Sequence, residues 1–212
     1  MQRRYTITDR LIGHADSMLQ TLGTKPQPSR PSPAADMRKE SLNPTEQKES
    51  VRLMRVNHTG EVCAQALYQG QSLTARSTEL RNTFQQAAKE ENDHLSWCAD
   101  RIEEMNGKTS RLNPFFFTGA YAIGAFAGLL GDRVSAAFLA ETEYQVVEHL
   151  DRHLNRLPVQ DSSSRSILSQ MRDDELEHAK TAEQAGTIPL PKPVKGAMRA
   201  MSKVMTGLSY WV

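Results

Sequence analysis

Asp174-Glu175-Leu176-Glu177-His178 carries a Glu and a His three residues apart. On an α-helix, positions i and i+3 share a face with Cβ atoms about 5–6 Å apart, so a carboxylate and an imidazole placed this way can grip one metal ion. The pattern occurs earlier as Glu91-Asn92-Asp93-His94. Each copy has a further Glu upstream: Glu61 lies 30 residues before Glu91, and Glu143 lies 32 residues before Glu175. The chain therefore reads as Glu, then Glu-x-x-His, written twice. Di-iron and di-manganese carboxylate bundles have this ligand layout, with two helices giving one Glu each and two giving Glu-x-x-His.

Hydrophobic spacing outward from these motifs is helical throughout. Leu11, Ile12, Ala15, Met18, Leu19 and Leu22 predict a helix from about Thr6, ended by Gly23. Lys25 to Pro44 holds Pro26, Pro28, Pro31, Pro33 and Pro44 and reads as an extended, mobile linker. Thr45 is the expected N-cap of a helix running to Thr74, and Ser77 or Thr78 opens the next, stopped at Asn106-Gly107. Phe115 to Leu130 is almost wholly apolar. Helices follow at Asp132 to Leu157 and from Asp161 or Ser162 to Ala185, and a basic, Met-rich helix runs from Val194 to Trp211. No strand pattern competes. The expected class is all-α: a ferritin-like four-helix bundle with a long apolar crossover and additional N- and C-terminal helices. Residues 1–44 form the terminal helix and linker, and 45–212 the bundle domain.

Neighbours on the same helical face decide which carboxylates point inward. Glu143 shares a stripe with Leu139, Ala140, Val146, Val147 and Leu150, whereas Glu141 faces Tyr144, Gln145 and Glu148. Glu175 lies with Leu168, Met171, Ala179 and Ala182, and Glu177 with Gln170, Asp173 and Lys180. Glu91, with Phe84, Ala87, Leu95 and Cys98, is preferred to Glu90. Glu61 is the weakest case, because Asn57, His58 and Gln65 make its face partly polar.

An unpaired buried carboxylate costs several kcal/mol or more. Four on facing stripes need positive charge, and only Arg172 approaches any of them in sequence. Two divalent cations match four carboxylates. Carboxylate-rich sites with one imidazole per ion suit iron or manganese better than zinc. Asp174 is placed to accept the second ring N–H of a ligand His on a neighbouring helix. His149, more than one turn beyond Glu143, reads as a satisfied or surface histidine, or less readily as a support behind the ligands.

Composition removes other classes. With 26 basic and 25 acidic residues there is no bulk attraction to nucleic acid. Cys63 and Cys98 make no disulfide framework and suit a reducing compartment. No run reaches the roughly 18–20 apolar residues of a membrane span. Arg3, Arg4 and Arg10 hint at a mitochondrial presequence, but Asp9 and Asp16 argue against it. The apolar segment at 115–130 is either a crossover packed on the bundle or a wall admitting a lipidic substrate. The tail either closes the bundle or lies on an anionic membrane surface.

The run Val56-Asn57-His58-Thr59-Gly60-Glu61, the Glu91-to-His94 motif, Glu143 and the Asp174-to-His178 stretch together resemble the Coq7 demethoxyubiquinone hydroxylases of ubiquinone biosynthesis. The likeness runs from about residue 45 to the C-terminus. It implies a di-iron monooxygenase with two iron ions per subunit. Glu91 and Glu175 would bridge both, Glu61 and His94 completing one and Glu143 and His178 the other. It implies that O2 hydroxylates the ring of 2-polyprenyl-3-methyl-6-methoxy-1,4-benzoquinol. It also implies peripheral attachment to the cytoplasmic side of the cell membrane, or less readily the mitochondrial inner membrane, and work beside a lipid-binding partner. Competing readings are a ferritin-like iron store or oxidant sink, a di-iron hydroxylase of a tRNA base, and a lipid-binding helical module without chemistry.

Overall fold

The computed structural model describes residues 7–23, 27–37 and 41–212. Among these there are seven α-helices and no strand: α1 (Ile7–Gly23), α2 (Pro44–Thr74), α3 (Thr78–Glu104), α4 (Asn113–Leu129), α5 (Asp132–Arg156), α6 (Ser162–Gln184) and α7 (Lys192–Ser209). The helix start expected at Thr6 lies outside the described residues. α2 pairs with α3 and α5 with α6 as two hairpins, and α4 crosses between them along α2. This is the expected bundle with its crossover.

Local chemistry sets the boundaries. α2 is capped by Asn43 rather than Thr45: the Asn43 side chain accepts from the Thr45 and Glu46 N–H groups, and Glu46 returns a bond to the Asn43 N–H. Pro44 then takes the first helical position, where no N–H is needed. Ser77 and Asp161 cap α3 and α6.

α4 lies very close to α2. A Cβ on Gly124 would fall 2.3 Å from the Leu67 carbonyl oxygen, and one on Gly70 2.3 Å from that of Tyr121. Only glycine permits such backbone contact. α4 buries Phe117, Ala120 and Ala127 but leaves Phe115 73% exposed and Phe126 63% exposed. α7 anchors through Met198, a Lys195–Glu141 ion pair at 2.5 Å and the Arg52 guanidinium 4.2 Å over the Trp211 ring, with Val204 and Leu208 left outside. Among the described residues no helix is long and apolar enough to cross a membrane.

The core has two main apolar layers. One gathers Leu53, Met54, Trp97, Cys98, Leu150, Leu168 and Met171, and the other Ala64, Tyr68, Phe84, Leu139, Ala140 and Ala182. On each of α2, α3, α5 and α6 one Glu sits between these layers, in a polar band with apolar packing above and below.

The Pro-rich stretch is not a free linker over residues 27–37. It is a strap laid across α3 and α6, with Ala34 against the core and the Pro33 carbonyl accepting from the Ser166 hydroxyl. Its anchor is a set of buried acceptors on the two helices that its own composition does not reveal.

Candidate metal centre

The six residues named from sequence all point into the polar band. Glu61, Glu91, His94, Glu143, Glu175 and His178 are between 0% and 9% exposed. The rejected neighbours lie elsewhere: Glu141 pairs with Lys195, and Glu177 lies outside near Lys180. Arg172 turns away to Asp151 and Asp173 and offers Glu175 no guanidinium.

The two Glu-x-x-His motifs face each other across the bundle. Glu91 sets Oε2 at 3.1 Å from His94 Nδ1 and Oε1 at 3.3 Å from His178 Nδ1. Glu175 sets Oε1 at 3.1 Å from His94 Nδ1 and Oε2 at 3.1 Å from His178 Nδ1. Each of these two acids thus offers one oxygen to each imidazole. Glu61 adds an oxygen 3.6 Å from His94 Nδ1. One ligand atom each from Glu61, Glu91, His94 and Glu175 lie within 4.8 Å of one another. Glu143 stands on the other side, and its Oε1 accepts from the Tyr68 hydroxyl at 2.7 Å.

The outer nitrogens are held as well. His94 Nε2 lies 2.9 Å from Asp174 Oδ2, as the sequence suggested. His178 Nε2 lies 2.7 Å from Glu90 Oε2, which the sequence did not suggest. With Nε2–H bonded outward, each Nδ1 is left to face the carboxylates, where it would give its lone pair to an ion in place of the proton it shares with Glu91 and Glu175.

The cluster is short of positive charge. Burial and the Glu91 carboxylate hold Glu61 well above the usual carboxylate range, and burial and Glu175 do the same to Glu143. Burial opposes charge on Glu91 too, but hydrogen bonds from His178 and His94 hold it well below that range. Burial disfavours the imidazolium of His178, yet Glu175 and Glu91 push it up to about 12. Protons collect where cations are wanted. One buried oxygen each of Glu61 and Glu143 also makes no hydrogen bond. Such orphans are rare in folded proteins, and a cation would satisfy them. The donor set, its burial and these orphaned oxygens fit a carboxylate-bound metal site.

Three positions escaped sequence reading. Tyr68 was legible as a member of the Glu61 face, two turns on, but not as the partner of Glu143, which lies on another helix. Glu90 was set aside because it cannot point inward with Glu91, yet its outward position is the one from which it reaches His178. His149 is neither satisfied nor on the surface: its Nε2 is buried without a partner.

A cavity of about 510 Å³ opens between α2, α4, α5 and α7. Its wall is apolar, with Leu67, Phe116, Ile123, Phe138 and Met205, and it reaches the cluster at Glu61. Phe115 and Val204, both largely exposed, stand in the same wall.

Comparison with known proteins agrees with this arrangement. Residues 48–209 match the family described as ubiquinone biosynthesis protein COQ7. A 3-demethoxyubiquinol 3-hydroxylase of Nitrosococcus oceani is 50% identical over 99% of both chains. That of Nitrosospira multiformis is 54% identical over 96% of this chain and 98% of its own. Among solved structures, a dodecameric thioferritin, the bacterioferritin-related protein from Bacteroides fragilis, superposes with a TM-score of 0.52 at 16% identity. It covers 74% of this chain and 90% of its own, a likeness of fold. With two paired Glu-x-x-His helices in a ferritin-like bundle and a match spanning most of its length, the chain belongs to the COQ7 family of ubiquinone biosynthesis proteins.

Proposed function

We propose that this chain is a 3-demethoxyubiquinol 3-hydroxylase that uses two iron ions. The observation that carries the reading is the apolar cavity meeting the carboxylate cluster at Glu61. A polyprenyl quinol needs a greasy channel for its tail and a redox metal at its ring. The ligand reading gives Glu61, Glu91, His94 and Glu175 to one ion, and Glu91, Glu143, Glu175 and His178 to the other. Glu91 and Glu175 would serve both ions, since each presents one oxygen to each histidine.

When bound, the metal pair would supply activation of O2 and pass on two electrons, which an external two-electron reductant must replace in each turnover. In the net change one oxygen atom enters the vacant ring C–H bond as a hydroxyl. The other becomes water, taking up two electrons and two protons. The protein's part is to hold and to exclude. Asp174 and Glu90 fix the two imidazoles. The Tyr68 hydroxyl donates to Glu143 and keeps that carboxylate turned into the band. The layers of Leu53, Met54, Leu168 and Met171 on one side and Phe84, Leu139 and Ala182 on the other keep bulk water from the reaction.

The exposed side chains of Phe115, Phe126, Val204, Leu208 and Trp211 lie on α4 and just along and beyond α7, the two elements that frame the cavity mouth. With Arg199 and Lys203 beside them, they suit attachment to an anionic membrane surface, on the cytoplasmic side of the cell membrane, so that the tail never leaves lipid. An iron store has no use for this cavity.

Deletion of the gene is expected to accumulate the demethoxy quinone, and the wild-type chain to clear it. Glu91→Ala and Glu175→Ala should restore nothing and lose iron. Hydroxylation by the double variant would end the proposal. Flotation with anionic liposomes checks the membrane reading, and Val204→Asp with Leu208→Asp should abolish it.

A further inference from the structure

The two halves of the centre are not supported alike. Asp93 lies inside the first Glu-x-x-His motif on α3, and Asp174 immediately precedes the second on α6. The Arg30 guanidinium spans them, with Nε at 2.8 Å from Asp93 Oδ2 and Nη2 at 2.8 Å from Asp174 Oδ2. That same Asp174 oxygen holds His94 Nε2. The strap is itself pinned: the Ser29 N–H reaches Asp93 Oδ1 at 2.6 Å, the Trp97 indole N–H donates to the Arg30 carbonyl at 3.3 Å, and the guanidinium lies 5.0 Å over the Trp97 ring. Trp97 in turn packs on the His94 ring, centroids 5.5 Å apart.

Among the described residues no cation and no strap backs His178, whose ring has an edge contact with Tyr68 at 6.5 Å. Its partner Glu90 has a side chain 41% exposed, and among the described residues its further hydrogen bond comes from Gln86 on its own helix. No described cation pairs with it. The carboxylate behind His94 is tied to two helices through Arg30, whereas the one behind His178 is braced only from its own helix and is open to water.

We infer that Arg30 is a positioning residue for the metal centre, and that it makes the Glu61/His94 half the first to fill. This rests on the reading of the six residues as iron ligands. A ligand already held in its binding geometry gives up less freedom when the ion arrives. Outer partners of metal-bound histidines carry about 10–100-fold in metal affinity. The strap lies outside residues 48–209, so the bundle gains this support from the N-terminal stretch. Arginine suits the position because a guanidinium presents fixed, separated donors to the two carboxylates, whereas an ammonium presents its donors from one point on a flexible stem.

Anaerobic titration of the iron-free full chain with ferrous ion tests it, following heat and stoichiometry. The wild type should bind two ions in unequal steps, and His94→Ala should remove the tighter one. Arg30→Met keeps the stem packed on Trp97 and should weaken the tight step about tenfold or more while leaving the weak step in place. Arg30→Lys should not restore it. Glu90→Gln should weaken only the second step. Two equal steps in the wild type, or Arg30→Met weakening both steps alike together with a lower melting temperature of the iron-free chain, would overturn the inference while leaving the iron site intact. Failure of the wild type to bind iron would instead refute the ligand reading beneath it.

Discussion

His94 on α3 and Asp174 on α6 are joined Nε2 to Oδ2 at 2.9 Å, and the relation is returned by His178 and Glu90 at 2.7 Å. The acid immediately before each Glu-x-x-His motif serves the histidine of the other copy. The two motifs therefore orient each other. Asp174→Asn should lower iron affinity about 10–100-fold with the helical circular dichroism unchanged. Full iron occupancy and full activity in this variant would show that the pairing is incidental.

Glu143 separates metal binding from folding. In the iron-free chain, burial and Glu175 keep its carboxyl well above the usual range, so Gln resembles the form already present. Glu143→Gln should leave the melting temperature of the iron-free protein unchanged or higher. The wild type should gain about 2.7 kcal/mol at a ferrous concentration a hundred times its dissociation constant, and the variant much less. Differential scanning fluorimetry with and without metal reads both effects. A variant less stable without iron would mean that the ionised carboxylate supports the fold.

The seam between α2 and α4 tolerates no side chain at Gly124. Gly124→Ala places a methyl 2.3 Å from the Leu67 carbonyl, and the backbone must part to admit it. The expected loss is about 1–3 kcal/mol in urea unfolding. Because α4 also walls the apolar cavity, quinol binding should weaken while iron content holds.

His58 and His153 are buried, and burial lowers them to about 4 and about 2. The His153 ring bonds Asn57 Oδ1 at 2.9 Å. Both are neutral in the fold and take up a proton readily once unfolded, near pH 6.5. Their contribution is present above that pH and is lost as pH falls toward the folded values. By pH 5 each should cost about 2 kcal/mol. His153→Gln should make the iron-free protein's stability fall less steeply between pH 7 and pH 5 than the wild type's. Parallel curves would rule this contribution out.

Much of this was legible in one dimension. The i, i+3 pairing of Glu and His, its repetition and the apolar residues flanking Glu91, Glu143 and Glu175 are local properties of a helix. A periodic helix shows its inward face to anyone who knows its period. Glu61 was harder, since Asn57, His58 and Gln65 make its face polar. The fold resolves this by giving those groups partners: Asn57 with His153, His58 with Asn113, and Gln65 with Asn92 and the Ala88 carbonyl. Asn43 was missed as the cap of α2 because Thr45 carries the same chemistry two residues later, and only the backbone turn at Asn43 distinguishes them.

The sequence by itself determined the helices, the six inward side chains and the charge deficit that calls for metal, because each follows from spacing and burial along a single element. Only the tertiary structure decided that the histidine Asp174 serves is His94, that Glu90 answers it at His178, that Tyr68 restrains Glu143, and that Arg30 staples α3 to α6. Those contacts join residues as many as 144 positions apart. They depend on which helix lies beside which, and periodicity within one helix carries no information about its neighbour.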